Sequence, residues 1–141
     1  MPTLPEPDDL TSLVIRTDFS DDAAWEALQA DIDGRNEFRQ ATYISDPTFA
    51  GISIDTLVDL DARADEDDKA TYLFLADATT MADDERRLLA VDLYDEPGRT
   101  FRVPPRWFAD VSANLSIANM DFDEFADAAE ADGTFRGFGE E

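Results

Sequence analysis

Two stretches of chain, residues 71–77 (TYLFLAD) and 88–94 (LLAVDLY), constrain the fold more than any other feature of the sequence. Each is a short run of large aliphatic and aromatic residues that closes beside an acid. Runs of this length and make-up read as strands at the centre of a sheet. The second run leads into Asp95-Glu96-Pro97-Gly98-Arg99 and then residues 100–103 (TFRV). Proline fixes φ at the first central position of a type II turn, and glycine accepts the positive φ needed at the second. A hairpin is therefore predicted here, and with it a sheet that is antiparallel in part.

The rest of the chain supplies partners for that pair. Residues 13–19 (LVIRTDF) read as a first strand, followed by a helix to about residue 33 with Ser20 as its cap. Asp21 and Asp22 would sit near the positive end of this helix, and Ala24, Trp25, Leu28 and Ile32 form its apolar stripe. Gly34 is expected to end it. Residues 40–45 (QATYIS) read as a second strand, closed by Asp46-Pro47, and residues 54–60 as a helix capped by Ser53 with Ile54, Leu57 and Val58 inward. Residues 61–68 (DARADEDD) are expected to be a solvated loop or frayed helix end, and residues 78–87 a loop with a short helical turn capped by Thr80. Pro104 and Pro105 stop the hairpin, and a helix should start near Arg106 and bury Trp107, Phe108, Val111 and Leu115.

Residues 114–120 (NLSIANM) suit either a short edge strand or a helix end. Asp121 and Glu124 then make a capping box for a last helix, with Phe122, Phe125, Ala126 and Ala129 at helical spacing and Gly133 as its stop. Residues 134–138 (TFRGF) would pack aromatics on the core or fray. Residues 1–9, with three prolines and three acids, read as a flexible lead-in to one domain over residues 10–141. The expected fold is a single α/β domain, a mixed sheet of four or five strands with helices packed on it. Strand order does not follow from the sequence.

A chain of 141 residues, 43% hydrophobic, can bury one core without staples. It has no cysteine and no histidine. Disulfides, thiolate and imidazole metal ligands, Ser-His-Asp and Cys-His nucleophiles and histidine pH switches are thereby excluded. No run is long enough to span a bilayer, and the first residues lack a basic region followed by an apolar one, so a cytoplasmic protein with no membrane contact is expected. The net charge is -23, from 34 acids against 11 basic residues. Such a chain repels nucleic-acid backbone and favours basic protein surfaces, so no direct nucleic-acid binding is expected.

Three strings, VIRTDFSDDAAW (residues 14–25), LLAVDLYDEPGRTFRV (88–103) and NLSIANMDFDEFA (114–126), resemble an uncharacterised, largely actinobacterial family catalogued as a domain of unknown function. The resemblance spans nearly the whole chain and implies no activity, cofactor or site residue.

Candidate site residues come from the chemistry alone. If the central strands are parallel, Asp18, Asp46 and Asp77 share the carboxyl end of the sheet, where open α/β sheets place ligands. Asp92, just inside its strand, could join them to hold Mg²⁺, which needs no His or Cys. Arg16 lies in an apolar strand and must be paired when buried; Asp18, Asp77 and Asp92 are its candidate partners. Asn114, Ser116 and Asn119 could bind a small polar ligand or satisfy nearby backbone. Arg99, Arg102 and Arg106 form the only concentrated positive patch and could meet an acidic patch of a second copy in a homodimer. The aspartyl-phosphotransfer string, the GxxxxGK loop and the GxGxxG fingerprint are all missing.

No residue is assigned to catalysis or to a metal, and no cofactor is expected. The reading that charge, size and side-chain inventory favour is a non-enzymatic domain docking a basic protein, as immunity proteins and small regulators do. A carboxylate-based metal enzyme and a nucleic-acid mimic built on the acids of residues 121–132 stay open beside it.

Overall fold

The computed structural model describes residues 4, 11–35, 40–65, 69–117 and 120–137. Five strands form one mixed sheet: β1 (Ser12–Arg16), β2 (Ala41–Ile44), β3 (Tyr72–Ala76), β4 (Leu88–Asp92) and β5 (Thr100–Val103), in the order β2-β1-β3-β4-β5. β1 runs parallel to both β2 and β3, whereas β3–β4 and β4–β5 are antiparallel. The helices are α1 (Asp22–Gly34), α2 (Ile54–Ala62), α3 (Ala78–Ala82), α4 (Pro105–Ser116) and α5 (Phe122–Asp127). The protein is thus a single α/β domain with helices packed on a mixed sheet.

Side chains alternate across a strand, and here both faces of the sheet are covered. Val14, Phe74, Ala90 and Phe101 point to the face that carries α1, α4 and α5, where Leu28, Ile32, Phe108 and Phe125 meet them. Leu13, Ile15, Leu73, Leu75 and Val91 point to the other, against Leu57 of α2 and Phe49 of the 3₁₀ turn Pro47–Phe49. This is why all five residues of β1 are buried and its sequence shows no polar alternation. One polar seam crosses the first face: Ser12 Oγ lies 2.7 Å from the Tyr72 hydroxyl and 2.7 Å from Ser112 Oγ, tying β1, β3 and α4 together. Burial pushes the Tyr72 phenol above its ordinary value.

The hairpin forms as its turn residues require. Arg99 N–H donates to Glu96 O at 2.9 Å, and Gly98 sits at φ +97, the left-handed value of a type II turn. Ser53 caps α2 by accepting from Thr56 N–H at 3.1 Å.

Several local expectations are corrected. Asp21 rather than Ser20 caps α1, accepting from Ala24 N–H at 3.0 Å, because Ser20 is held by Asp18 through its amide and hydroxyl. Asp77 rather than Thr80 caps α3; Thr80 is its capping-box partner. Asp61 is buried within α2 and accepts from Ala70 N–H at 2.6 Å, so the start of the charged segment is a tether and not a solvated loop. Of the two readings open for residues 114–120, the helix end holds for residues 114–116, which close α4. The last helix stops at Asp127, well before Gly133. Past it, Thr134 makes a β-bridge to Arg102 and Phe135 is buried against Phe101 and Phe125. Of the lead-in, Leu4 alone is described, and it packs on the α2 side of the core.

Candidate functional site

β1 is flanked by β2 on one side and β3 on the other, so the connections that follow β1 and β2 run in opposite directions from the shared carboxyl end. That is the switch point where open α/β sheets hold ligands. Here its charged groups are already paired. Arg16, only 4% exposed, donates from Nη2 to Asp22 Oδ1 at 2.6 Å and from Nε to the Asp18 carbonyl at 2.9 Å. Its guanidinium also lies 4.5 Å from the centre of the Phe19 ring. The carboxylate partner is therefore Asp22, from the first turn of α1, in place of Asp18, Asp77 or Asp92. Asp18 instead folds back on Ser20. Asp77 is gripped by Arg102 in a two-pronged pair, Nη1–Oδ1 and Nη2–Oδ2 both at 2.9 Å. Asp46 caps the 3₁₀ turn through Thr48 N–H, which holds its carboxyl below the usual range.

Asp92 stands at the opposite end of the sheet, because antiparallel β4 pairs it with Tyr72 at the start of β3. It cannot join Asp18 and Asp77. The side chain is 1% exposed and fully used: Oδ1 accepts from Tyr94 N–H and Oδ2 from Glu96 N–H, both at 2.9 Å. Asp92 builds the hairpin turn. Among the described residues no group of three or more carboxylates is arranged to hold a metal.

At that same end lies a cleft of about 310 Å³ whose lining includes Thr71, Tyr72, Tyr94, Asp95, Leu115, Met120, Asp121 and Phe122. Its floor is apolar and its rim acidic. Tyr94 is 72% exposed, one of two large apolar side chains left open among the described residues; the other, Ile117, closes the α4 segment that supplies Leu115. Asp95 has no ion pair among the described residues, and neither does Asp121. Partial desolvation, then the like charges of Asp92, Asp121 and Asp123, raise the Asp95 carboxyl above its ordinary value. Thr71 adopts φ +64, a left-handed value that a β-branched residue rarely takes and that marks stored strain. None of Thr71, Tyr94 and Asp95 stood out in the sequence. The available signal was Asp92, a charge at a position whose alternation with Ala90 makes it a core position.

The remaining candidates are placed as follows. Asn114 Nδ2 donates to Asp110 O at 2.8 Å and Ser116 Oγ to Ala113 O at 3.2 Å, both back onto α4. Asn119 lies outside the described residues. The positive patch is broken up internally: Arg99 pairs with Glu96, Asp123 and Asp127, and Arg102 with Asp77. Arg106 alone of the three has no carboxylate partner among the described residues. The row of acids on and after α5 is likewise engaged, Asp123 and Asp127 by Arg99, Glu130 and Asp132 by Arg136. No helix among the described residues is long and apolar enough to cross a membrane.

One family model matches the chain, over residues 11–138: DUF6924, described as a domain of unknown function. No curated protein matches it significantly.

Proposed function

The chain belongs to the DUF6924 family of domains of unknown function, and from its geometry we propose a non-enzymatic binding domain that docks a basic protein surface. The observation that carries this reading is the cleft beside Tyr94. Glu96, Asp123 and Asp127 beside it are paired with Arg99, whereas Asp95 and Asp121 have no ion pair among the described residues and stand on the rim of an apolar floor. A lysine or arginine of a partner would counter the like charges of Asp92, Asp121 and Asp123 around Asp95, and a neighbouring apolar side chain would cover Tyr94, Leu115 and Met120. The net charge of -23 would speed the encounter, with affinity resting on the few desolvated contacts.

The two other classes find less support. A carboxylate-held metal would need Asp92 beside Asp18 and Asp77, and the antiparallel β4 separates them. A phosphate-like row on residues 121–132 is interrupted by Arg99 and Arg136.

Reversing Asp123, Asp127 or Glu130 would break internal pairs, so Tyr94→Ala and Asp95→Lys are the informative variants: neither side chain makes a hydrogen bond among the described residues. The protein is used to capture partners from its native host at moderate salt, and a recovered basic protein is titrated calorimetrically against each variant. Tyr94→Ala and Asp95→Lys should each weaken binding about tenfold or more, while Asp55→Lys, on the exposed side of α2, should barely matter. Equal binding by all four proteins, or recovery of nothing beyond background that salt removes, sinks the proposal.

A further inference from the structure

The cleft beside Tyr94 has a more specific chemistry than its charge alone conveys. Three acidic residues line it, Asp92, Asp95 and Asp121, and among the described residues no basic one does. The buried Asp92 carboxylate accepts two amide N–H groups of the turn and meets no cation among the described residues. Arg99, on the same hairpin, is already shared by Glu96, Asp123 and Asp127. The helix α4 adds to the field: Leu115, in its last turn, lines the cleft, and that turn carries no basic residue to offset the negative end of the helix.

Aromatic residues line the cleft too, and a single one of them is open. Phe122 is buried against the Phe101 ring, 4.9 Å between centres, and the Tyr72 hydroxyl is held by Ser12 in the core. Tyr94 is exposed, and its ring meets no other ring and no cation among the described residues. A quaternary ammonium needs a cage of several rings, and no group of three or more carboxylates converges on a metal among the described residues. A planar cation needs one ring face with a carboxylate beside it, and Tyr94 with the adjoining Asp95 supplies both. The fold uses the same combination internally: the Arg16 guanidinium lies 4.5 Å from the centre of the Phe19 ring and pairs with Asp22 at 2.6 Å. At about 310 Å³ the cavity stands at the small end of ligand sites, so it takes one small group.

We propose that this cleft is an arginine pocket: it binds one alkylguanidinium, the planar cation stacked on Tyr94 and paired with Asp95, its methylenes over Leu115 and Met120. The partner's anchor is then an arginine rather than a lysine, a specificity that rests on the docking reading of the same cleft. A guanidinium is weakly hydrated and its face stacks on a ring, so it loses little on an apolar floor. An ammonium is a strongly hydrated point charge and gains only the general attraction of a chain at -23.

The test titrates the full ¹⁵N-labelled chain with acetyl-arginine methylamide, which carries one charge and no charged ends, and follows the Tyr94, Asp95 and Leu115 amide signals. The matching lysine compound and the uncharged citrulline isostere are the controls. The arginine probe should shift these signals saturably in the millimolar range, the lysine probe should bind about threefold or more weakly, and the citrulline probe should not shift them. Tyr94→Leu keeps the apolar cover and should erase the preference for arginine, and Asp95→Asn should weaken the arginine probe about fivefold. Both side chains are exposed, and unchanged signals in the core strands verify that the variants fold. No saturable shift up to tens of millimolar, equal binding of the lysine and arginine probes, or a preference that survives Tyr94→Leu overturns the proposal. A basic protein that docks at Tyr94 while the arginine probe fails would keep the docking reading and overturn the arginine pocket. An arginine probe that binds as expected, with no protein partner recovered, would uphold the pocket and sink the docking reading.

Discussion

Replacing Asp77 separates two things that one carboxylate does at the end of β3. Its oxygens take both prongs of Arg102 at 2.9 Å, and Oδ1 also accepts the Thr80 amide at 3.0 Å as the cap of α3. The side chains of Arg102 and Asp77 are 20% and 24% exposed, between a surface pair and a buried one. Exposed pairs contribute up to about 1 kcal/mol, and breaking a buried one costs about 3–5. A two-pronged pair at this depth should therefore cost about 2 kcal/mol to break, and a lost cap adds about 1. Asp77→Asn keeps an acceptor for Thr80 and should destabilise by about 2 kcal/mol; Asp77→Ala should lose about 3. With a urea slope of about 2 kcal/mol per molar, the midpoints fall by about 1 M and 1.5 M. The pH dependence has a definite sign. Desolvation raises the Asp77 carboxyl, but the hydrogen bonds from Arg102 and Thr80 and the Arg102 charge outweigh it, so its folded value lies below 3.8. The stabilisation is then complete above the unfolded value, near 3.9, and is lost as pH falls through the lower folded value. Urea melts followed by far-UV circular dichroism from neutral pH into that acid range should show wild type and Asp77→Asn converging. A gap under about 0.5 kcal/mol at neutral pH, or one that does not narrow in acid, refutes the assignment of the pair as a structural tie.

Two glycine exchanges should have opposite signs. Gly98→Ala places a Cβ no closer than 4.0 Å to Ile54 and Val58, so its cost is the left-handed backbone alone, about 1 kcal/mol in the same melts; no loss would mean the turn changes type. Thr71→Gly relieves a strained φ of +64 worth about 1–2 kcal/mol against glycine's own entropy of about 0.5–1, so it should leave stability equal or raise it. A clear destabilisation by Thr71→Gly would show that the Thr71 side chain matters more than its backbone.

How much of this was legible in the sequence depends on the range of the interaction. The hairpin follows from Pro97-Gly98, and the α2 cap from Ser53, because turns and caps are set by residues within three or four positions. The parallel pairing of β1 with β2 and β3 was open, since register and order are set by contacts across the fold. The partner of Arg16 was sought on neighbouring strands and lies on α1, because a buried guanidinium reaches whichever carboxylate the tertiary packing presents. Helical spacing through Ala129 predicted a long last helix, and tertiary contacts overrode it: after Asp127 the chain turns to set Thr134 against β5 and Phe135 under Trp107. Asp92 was a candidate to join a carboxylate site or to pair with Arg16, and its carboxylate forms the turn instead, a role visible only once the Tyr94 and Glu96 amides are seen to converge on it.

The arginines explain where the unshielded charge ends up. Arg16 ties β1 to α1, Arg99 ties the hairpin to α5, and Arg102 ties β5 to the cap of α3. Arg136 gathers Glu85, Glu130 and Asp132 from two separate loops. These pairs span elements, so they act as links in the fold rather than as solvated surface. Asp95 and Asp121, on the rim of the Tyr94 cleft, are among the many carboxylates they leave without an ion pair, and among the described residues Arg106 is left without a carboxylate. That rim and Arg106 lie at opposite ends of α4, whose 12 residues are about 18 Å long. At that separation, beyond the screening length of about 8 Å at physiological salt, the charge of Arg106 barely touches the acidic rim. A basic partner beside Tyr94 would therefore be drawn by the acids at its own end of α4 and not be repelled by Arg106 at the other.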